Sequence, residues 1–148
     1  MKHTNRNHVV TVLFACRKNA GRSQIAAALM AAKTDDRVRV LSAGTTPARE
    51  LHPQTYETLA EIGLEPLDTT PTMLTGDNVS QSDWIITMGC GESCPIFPGT
   101  HYEDWDVADP ANQPASVVRE IREDIAQRVD QLIARLGLDQ PTTSYTST

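Results

Sequence analysis

The spacing of apolar residues changes several times along this chain, and each change marks an element. Val9 to Ala15 is a continuous apolar run rich in β-branched residues, the pattern of a strand buried in a parallel sheet. Shorter runs at Val38 to Ser42 and Asp83 to Met88 predict a second and a third strand, and Tyr102 to Val107 includes a fourth. Helical signals fall between them. Ile25 to Ala32 is rich in the strongest helix formers. Pro53 to Ile62 reads as a helix with proline in its first turn and Gly63 as its stop. The polar, turn-rich residues 68 to 82 hold a short helix. Pro114 to Leu136 is a long amphipathic helix, with Val117, Ile121, Ile125, Val129, Leu132 and Leu136 forming one core-facing stripe and Gly137 suited to its C-terminal cap. The order β-α-β-α-β-β-α predicts an α/β domain, three layers (α/β/α) around a central four-stranded parallel sheet. We place that domain at residues 8–137, with flexible polar tails at 1–7 and 138–148.

In such sheets a ligand sits beyond the C-terminal ends of the strands. Cys16, residues 42–46, residues 88–94 and Asp109 all follow predicted strands, so one edge is expected to gather them. The segment from Cys16 to Arg22 is short and must wrap against the first turn of the next helix, whose N–H groups lack partners within the helix and favour an anion. Arg17, Lys18, Asn19, Ala20, Gly21, Arg22 and Ser23 are therefore the expected oxyanion-binding loop. Arg22 adds a planar fork of donors, Gly21 permits a tight turn, and Asn19 suits a left-handed one. A helix N-terminus with nearby cations brings a thiol from roughly 8.5 to about 3.5–7.5, so Cys16 is expected to be largely thiolate at neutral pH, with Ser23 donating to the sulfur. A cysteine ending a buried strand is often only a small hydrophobe. Here the strand, the Arg22-Ser23 pair and the helix agree on the reactive reading.

Charge narrows the partners. The 148 residues carry a net charge of -6, which disfavours nucleic acid or an anionic membrane as the main partner and leaves a local cationic loop suited to a small anion. No run approaches the ~18 apolar residues of a membrane span, and the polar start from Met1 to His8 predicts no leader. Three cysteines in such a chain point to catalytic or redox work in the cytoplasm.

Cys16, the five residues after it, Arg22 and Ser23 resemble the signature of the low-molecular-weight tyrosine phosphatase family, which includes the thiol-coupled arsenate reductases. Gln24 resembles the reductase branch, where phosphatases usually have proline. Residues Ser42-Ala43-Gly44-Thr45, Trp84 to Met88 and Asp109-Pro110-Ala111 resemble the family's second strand, third strand and acid loop. The resemblance spans roughly residues 8 to 137. It implies an arsenate reductase in which Cys16 attacks arsenate, the loop amides and Arg22 hold its oxygens, and Asp109 protonates the departing oxygen. Phosphate and sulfate would compete. Asp104 and Asp106 are nearby carboxylates that residue type alone does not separate from Asp109. Phosphatases tend to carry aromatic residues after the Asp-Pro, whereas this chain has Ala111-Asn112.

Cys90 and Cys94 are the candidate redox pair. In one reductase branch three cysteines relay a disulfide outward to thioredoxin, and Cys94-Pro95 resembles the last of them. Cys90 fits the middle position less well because the intervening loop is shorter. The shortened form resembles actinobacterial reductases, some of which use mycothiol as co-substrate and mycoredoxin to release arsenite. That resemblance favours mycothiol as the second thiol, with thioredoxin and an internal relay as the alternative. Plain burial of both cysteines competes with either role. Zinc is disfavoured, since Cys90, Cys94 and His101 supply three ligands where a structural site takes four. No metal and no tightly bound cofactor are expected. His52, Trp84 and Trp105 read as loop or packing residues, and Arg17 and Lys18 either recruit the anion or face solvent.

Overall fold

The computed structural model describes residues 9–89 and 100–138. Four strands, β1 (Val10–Cys16), β2 (Val38–Gly44), β3 (Trp84–Met88) and β4 (His101–Asp104), form one parallel sheet in the order β2-β1-β3-β4. Strand β1 lies inside the sheet, which explains its unbroken apolar run: Val12, Leu13, Phe14 and Ala15 are all fully buried. The helices are α1 (Arg22–Thr34), α2 (Pro53–Ala60), α3 (Gly76–Ser80) and α4 (Ala115–Arg135). Pleating divides β1 between two cores. Val12 and Phe14 pack with Ile25, Met30, Leu59, Ile125, Val129 and Leu132 from α1, α2 and α4. Leu13 packs on the other face with Ala43, Ile85 and Val79 of α3. This is the three-layer arrangement expected of a β-α-β-α-β-β-α chain.

Differences from the sequence reading are local. Strand β1 runs on to include Cys16 itself, and α1 starts at Arg22 rather than Ile25. The short helix expected within residues 68–82 is α3, opened by a capping box in which Thr75 Oγ1 accepts from Asn78 N–H and Asn78 Oδ1 accepts from Thr75 N–H. Strand β4 ends at Asp104, where the chain turns inward. Trp105 donates its N–H to the Thr87 carbonyl and packs its ring on Phe14 at 5.8 Å between centroids. Trp84 stacks on His101 at 4.7 Å. Gly137 has φ +76, the left-handed cap expected after α4. Of the tails placed at 1–7 and 138–148, only Leu138 is described, and it packs on the core and donates its N–H to the Ile133 carbonyl; residues 1–8 and 139–148, and the segment holding Cys90 and Cys94, lie outside the described residues.

The stripe on α4 needs one correction. Val118, rather than Val117, is its first buried residue, and Arg122 is buried within the stripe. The charge is held by partners at the C-terminal end of α2: Nη1 donates to the Thr58 carbonyl at 2.9 Å and to Oε1 of the capping residue Glu61 at 2.8 Å. Glu61 is also gripped by Arg119 Nε at 3.0 and 3.1 Å. That hydrogen bond from Arg119, followed by the one from Arg122, holds the Glu61 carboxyl below the usual carboxylate range and raises Arg119. Among the described residues no helix is long and apolar enough to cross a membrane.

Candidate active site

Register puts the nucleophile candidate at the C-terminal edge of the sheet. Cys16 pairs with Gly44 on β2 and Met88 on β3, so the strand exits form one row with the sulfur at its centre. Residues 17–21 leave that row and lie directly on Gly44. A Cβ at Gly44 would stand 2.7 Å from the Arg17 carbonyl oxygen and 2.9 Å from the Asn19 nitrogen, so only glycine fits beneath the loop.

The loop carbonyls are tied outward, one after another. Cys16 O accepts from Thr45 N–H, Arg17 O from Thr46 N–H, Lys18 O from Ala48 N–H, and Ala20 O from both His52 N–H and Thr55 Oγ1. A trans peptide sets each N–H opposite the preceding carbonyl. Carbonyls of 16, 17, 18 and 20 held outward therefore turn the amides of Arg17, Lys18, Asn19 and Gly21 inward. One of these is seen directly: Asn19 N–H donates to Cys16 Sγ at 3.3 Å. Gly21 caps α1 without contributing a side-chain acceptor, so the positive end of the helix faces the same space.

Asn19 fixes the polarity around the sulfur. It is fully buried and left-handed, with φ 53. Its Oδ1 accepts the Thr72 backbone N–H at 2.8 Å, a donor that cannot be anything else, and Gln24 Nε2 at 3.1 Å. The amide nitrogen must then face Ser23, and it donates to Ser23 Oγ at 2.7 Å. A hydroxyl has one proton. With Ser23 Oγ accepting from Asn19, that proton is free to point to Cys16 Sγ at 2.9 Å, as a thiolate there requires. Cys16 is buried, yet two polar groups converge on its sulfur.

Arg22 and Asp109 meet across the sheet edge. The Arg22 guanidinium donates Nη1 to the Val107 carbonyl at 3.1 Å, and Nη2 stands 3.7 Å from Asp109 Oδ2. Asp109 is exposed, and its Oδ1 accepts the Ala111 N–H at 3.0 Å, which fixes the turn at Asp-Pro. Pro110 and His52 lie against Gly21: a Cβ there would be 3.2 Å from Pro110 and 3.3 Å from His52. The Asp109-Pro110 loop therefore rests on the loop that follows Cys16. The competing carboxylates sit elsewhere. Asp104 accepts Thr87 Oγ1 at 2.6 Å, and Asp106 is exposed with its carbonyl held by Arg128.

Of the residues expected from sequence, Cys16, Asn19, Ala20, Gly21 and Ser23 are buried together at the strand exit, and Arg22 joins Asp109 beside them. Arg17 and Lys18 have exposed side chains and contribute backbone. Cys90 and Cys94 lie outside the described residues. Three contributors were not foreseen: the Thr72 amide, the Val107 carbonyl and the buried Gln24 side chain, which donates to the Asn19 carbonyl at 3.0 Å as well as to Oδ1. Gln24 stood out in the sequence only by resemblance. The two backbone groups left no mark in it.

Comparison with known proteins follows this geometry. The chain matches the family described as low molecular weight phosphotyrosine protein phosphatase over residues 11–142. The glutaredoxin arsenate reductase of Synechocystis is 30% identical over 129 residues, a match covering 85% of this chain and 98% of that protein. The thioredoxin-dependent arsenate reductase Cg_ArsC1' of Corynebacterium glutamicum has a solved structure that matches with TM-score 0.79 and 43% identity. That match covers 90% of this chain and 65% of the other, so this chain spans about two thirds of that neighbour's length. An arsenate reductase solved in the phosphate binding state matches at TM-score 0.76 and 28% identity, covering 86% of this chain and 98% of the other. A cysteine ringed by inward amides, with an arginine and an aspartate beside it, and a family match across nearly its whole length establish that the chain belongs to the low molecular weight phosphotyrosine protein phosphatase family.

Proposed function

We propose that this protein is an arsenate reductase of the cytoplasm. The observation that carries the reading is the convergence on Cys16 Sγ of Ser23 Oγ at 2.9 Å and Asn19 N–H at 3.3 Å, beside the Arg22–Asp109 pair. In the proposed reaction Cys16 sulfur attacks arsenic. An S–As bond forms, an As–O bond breaks, and Asp109 gives the leaving oxygen its proton. Inward amides and Arg22 hold the remaining oxygens, a preorganised arrangement whose donors need no rearrangement as charge develops. Tetrahedral phosphate and sulfate fit the same donors and compete.

Arsenic is still pentavalent at that stage, and a second thiol must supply electrons. In the relay route, Cys90 or Cys94 attacks the Cys16 sulfur. A disulfide forms, arsenite leaves with the two electrons of the S–As bond, and thioredoxin restores the thiols. The 43% identity to a thioredoxin-dependent reductase supports this route. In the transfer route, mycothiol attacks arsenic and releases Cys16. Mycoredoxin then attacks the mycothiol sulfur and expels arsenite. The short Cys90–Cys94 spacing supports that alternative.

Arsenate turnover, measured side by side with thioredoxin and with mycothiol plus mycoredoxin, tests the reading. Activity with either establishes the reductase, and p-nitrophenyl phosphate hydrolysis without arsenate turnover would replace it with a phosphatase. A Cys90→Ser/Cys94→Ser double variant separates the routes. Under the relay it loses turnover with thioredoxin while Cys16 still binds the anion. Undiminished turnover with mycothiol and mycoredoxin assigns the transfer route instead.

A further inference from the structure

We propose that Gly89 is a positioning residue for the oxyanion, and that its missing side chain is what gives the Arg22 guanidinium its place over the exit of β3. The inference deepens the arsenate-reductase reading and concerns the same site. Met88 pairs with Cys16, so Gly89 is the first residue beyond the row that holds the sulfur. The guanidinium lies directly on it. A Cβ built at Gly89 would stand 2.7 Å from Arg22 Cζ and 2.8 Å from Nη2, and nearer still to Nη1. Two carbons in van der Waals contact need roughly 3.5 Å, so any side chain at position 89 evicts the guanidinium. On its other sides the group is set by the Val107 carbonyl at 3.1 Å and by Asp109 at 3.7 Å. Gly89 is thus the floor beneath the cation, as Val107 and Asp109 are its walls.

This contact separates stability from function. The atoms that must move are the far end of a flexible side chain, so the fold tolerates the intrusion. Those same atoms are the fork proposed to hold the anion. Gly89 also has φ +81, which strains other residues, asparagine less than most. A cysteine directly after Met88 would fall on the guanidinium, and the cysteines of this loop begin one residue later, at Cys90.

The test uses the full chain and follows alkylation of Cys16 by iodoacetamide, read by peptide mass mapping, with increasing arsenate or inorganic phosphate as protectant. Gly89→Ala and Gly89→Asn are each expected to raise the half-protecting concentration of both anions at least tenfold while thermal unfolding stays cooperative. Because asparagine relieves the backbone strain but keeps the Cβ, Gly89→Asn also serves if Gly89→Ala fails to fold. Protection within twofold of wild type in a folded Gly89→Asn variant overturns the proposal. In an Arg22→Ala background, Gly89→Ala should weaken protection no further; an additional tenfold loss there would show that Gly89 acts by another path and also overturns it. Wild-type protein that is protected by both anions but does not turn over arsenate sinks the reductase reading, while the variants still decide the role of Gly89.

Discussion

Replacing Asn19 by aspartate changes one atom and should reverse the polarity of the site. The backbone would keep its left-handed turn at φ 53, which Asn and Asp both tolerate. One carboxylate oxygen would still accept from Thr72 N–H and Gln24 Nε2, as Oδ1 does now at 2.8 and 3.1 Å. The other would replace the amide nitrogen 2.7 Å from Ser23 Oγ. A carboxylate only accepts, so the Ser23 proton turns toward it and leaves the Cys16 sulfur. A hydrogen bond to a charged group is worth about 1.5–3 kcal/mol. At roughly 1.4 kcal/mol per tenfold, losing it lowers arsenate kcat/KM by about 10- to 100-fold. Asn19→Ala is a different injury. It orphans the Thr72 N–H at about 1–3 kcal/mol, forfeits two further bonds at about 0.5–1.5 kcal/mol each, and puts alanine in a left-handed turn at about 1–2 kcal/mol. The sum, roughly 3–8 kcal/mol, is comparable with the whole stability of a domain, so that variant should melt far below wild type. Differential scanning calorimetry and steady-state arsenate reduction together separate the two. Ser23→Ala should reproduce the kinetic loss of Asn19→Asp, and combining them should cost no more than either alone. Wild-type kcat/KM in a folded Asn19→Asp variant would refute the deduced direction of the Ser23 proton.

Asp109→Asn should lower arsenate kcat about 10²–10⁴-fold, the usual worth of a general acid, while half-protection of Cys16 by phosphate stays within a few-fold of wild type; equal loss in Asp104→Asn or Asp106→Asn would move the assignment. Glu61 has its carboxyl held down by Arg119 and Arg122, so the folded state favours its charged form. The stability this supplies is present above the ordinary carboxylate value of 4.5 and fades as pH falls through the lower folded value. Glu61→Gln should therefore narrow its stability gap to wild type on acidification from neutral pH into that range, as followed by thermal melts. A gap that stays constant or widens over that range contradicts the linkage.

Period and turn chemistry carried most of the fold. The β-branched run before Cys16 cannot be satisfied on a half-exposed strand, and β1 indeed lies between β2 and β3. The Asn19 turn was readable because few residues accept φ 53. Arg22 and Ser23 were readable because a short strand-to-helix loop leaves helix amides with no internal partner. Local sequence does not encode what long-range packing supplies. The Thr72 amide reaches Asn19 from 53 residues away, and the Val107 carbonyl reaches Arg22 from 85. Every residue has a backbone donor or acceptor, so identity cannot reveal which ones the fold will bring to a site. Arg122 interrupted a stripe read as apolar because its partners, the Thr58 carbonyl and Glu61, lie in and just beyond another helix. Asp109 could not be told from Asp104 or Asp106 by type, since carboxylates differ only in what surrounds them, and only the folded sheet edge sets Asp109 beside Arg22. The sequence thus determined that a sulfur would stand at the exit of a buried strand, before a short loop into a helix; the tertiary structure decided which distant groups orient it, because those contacts exist only once the strands are in register.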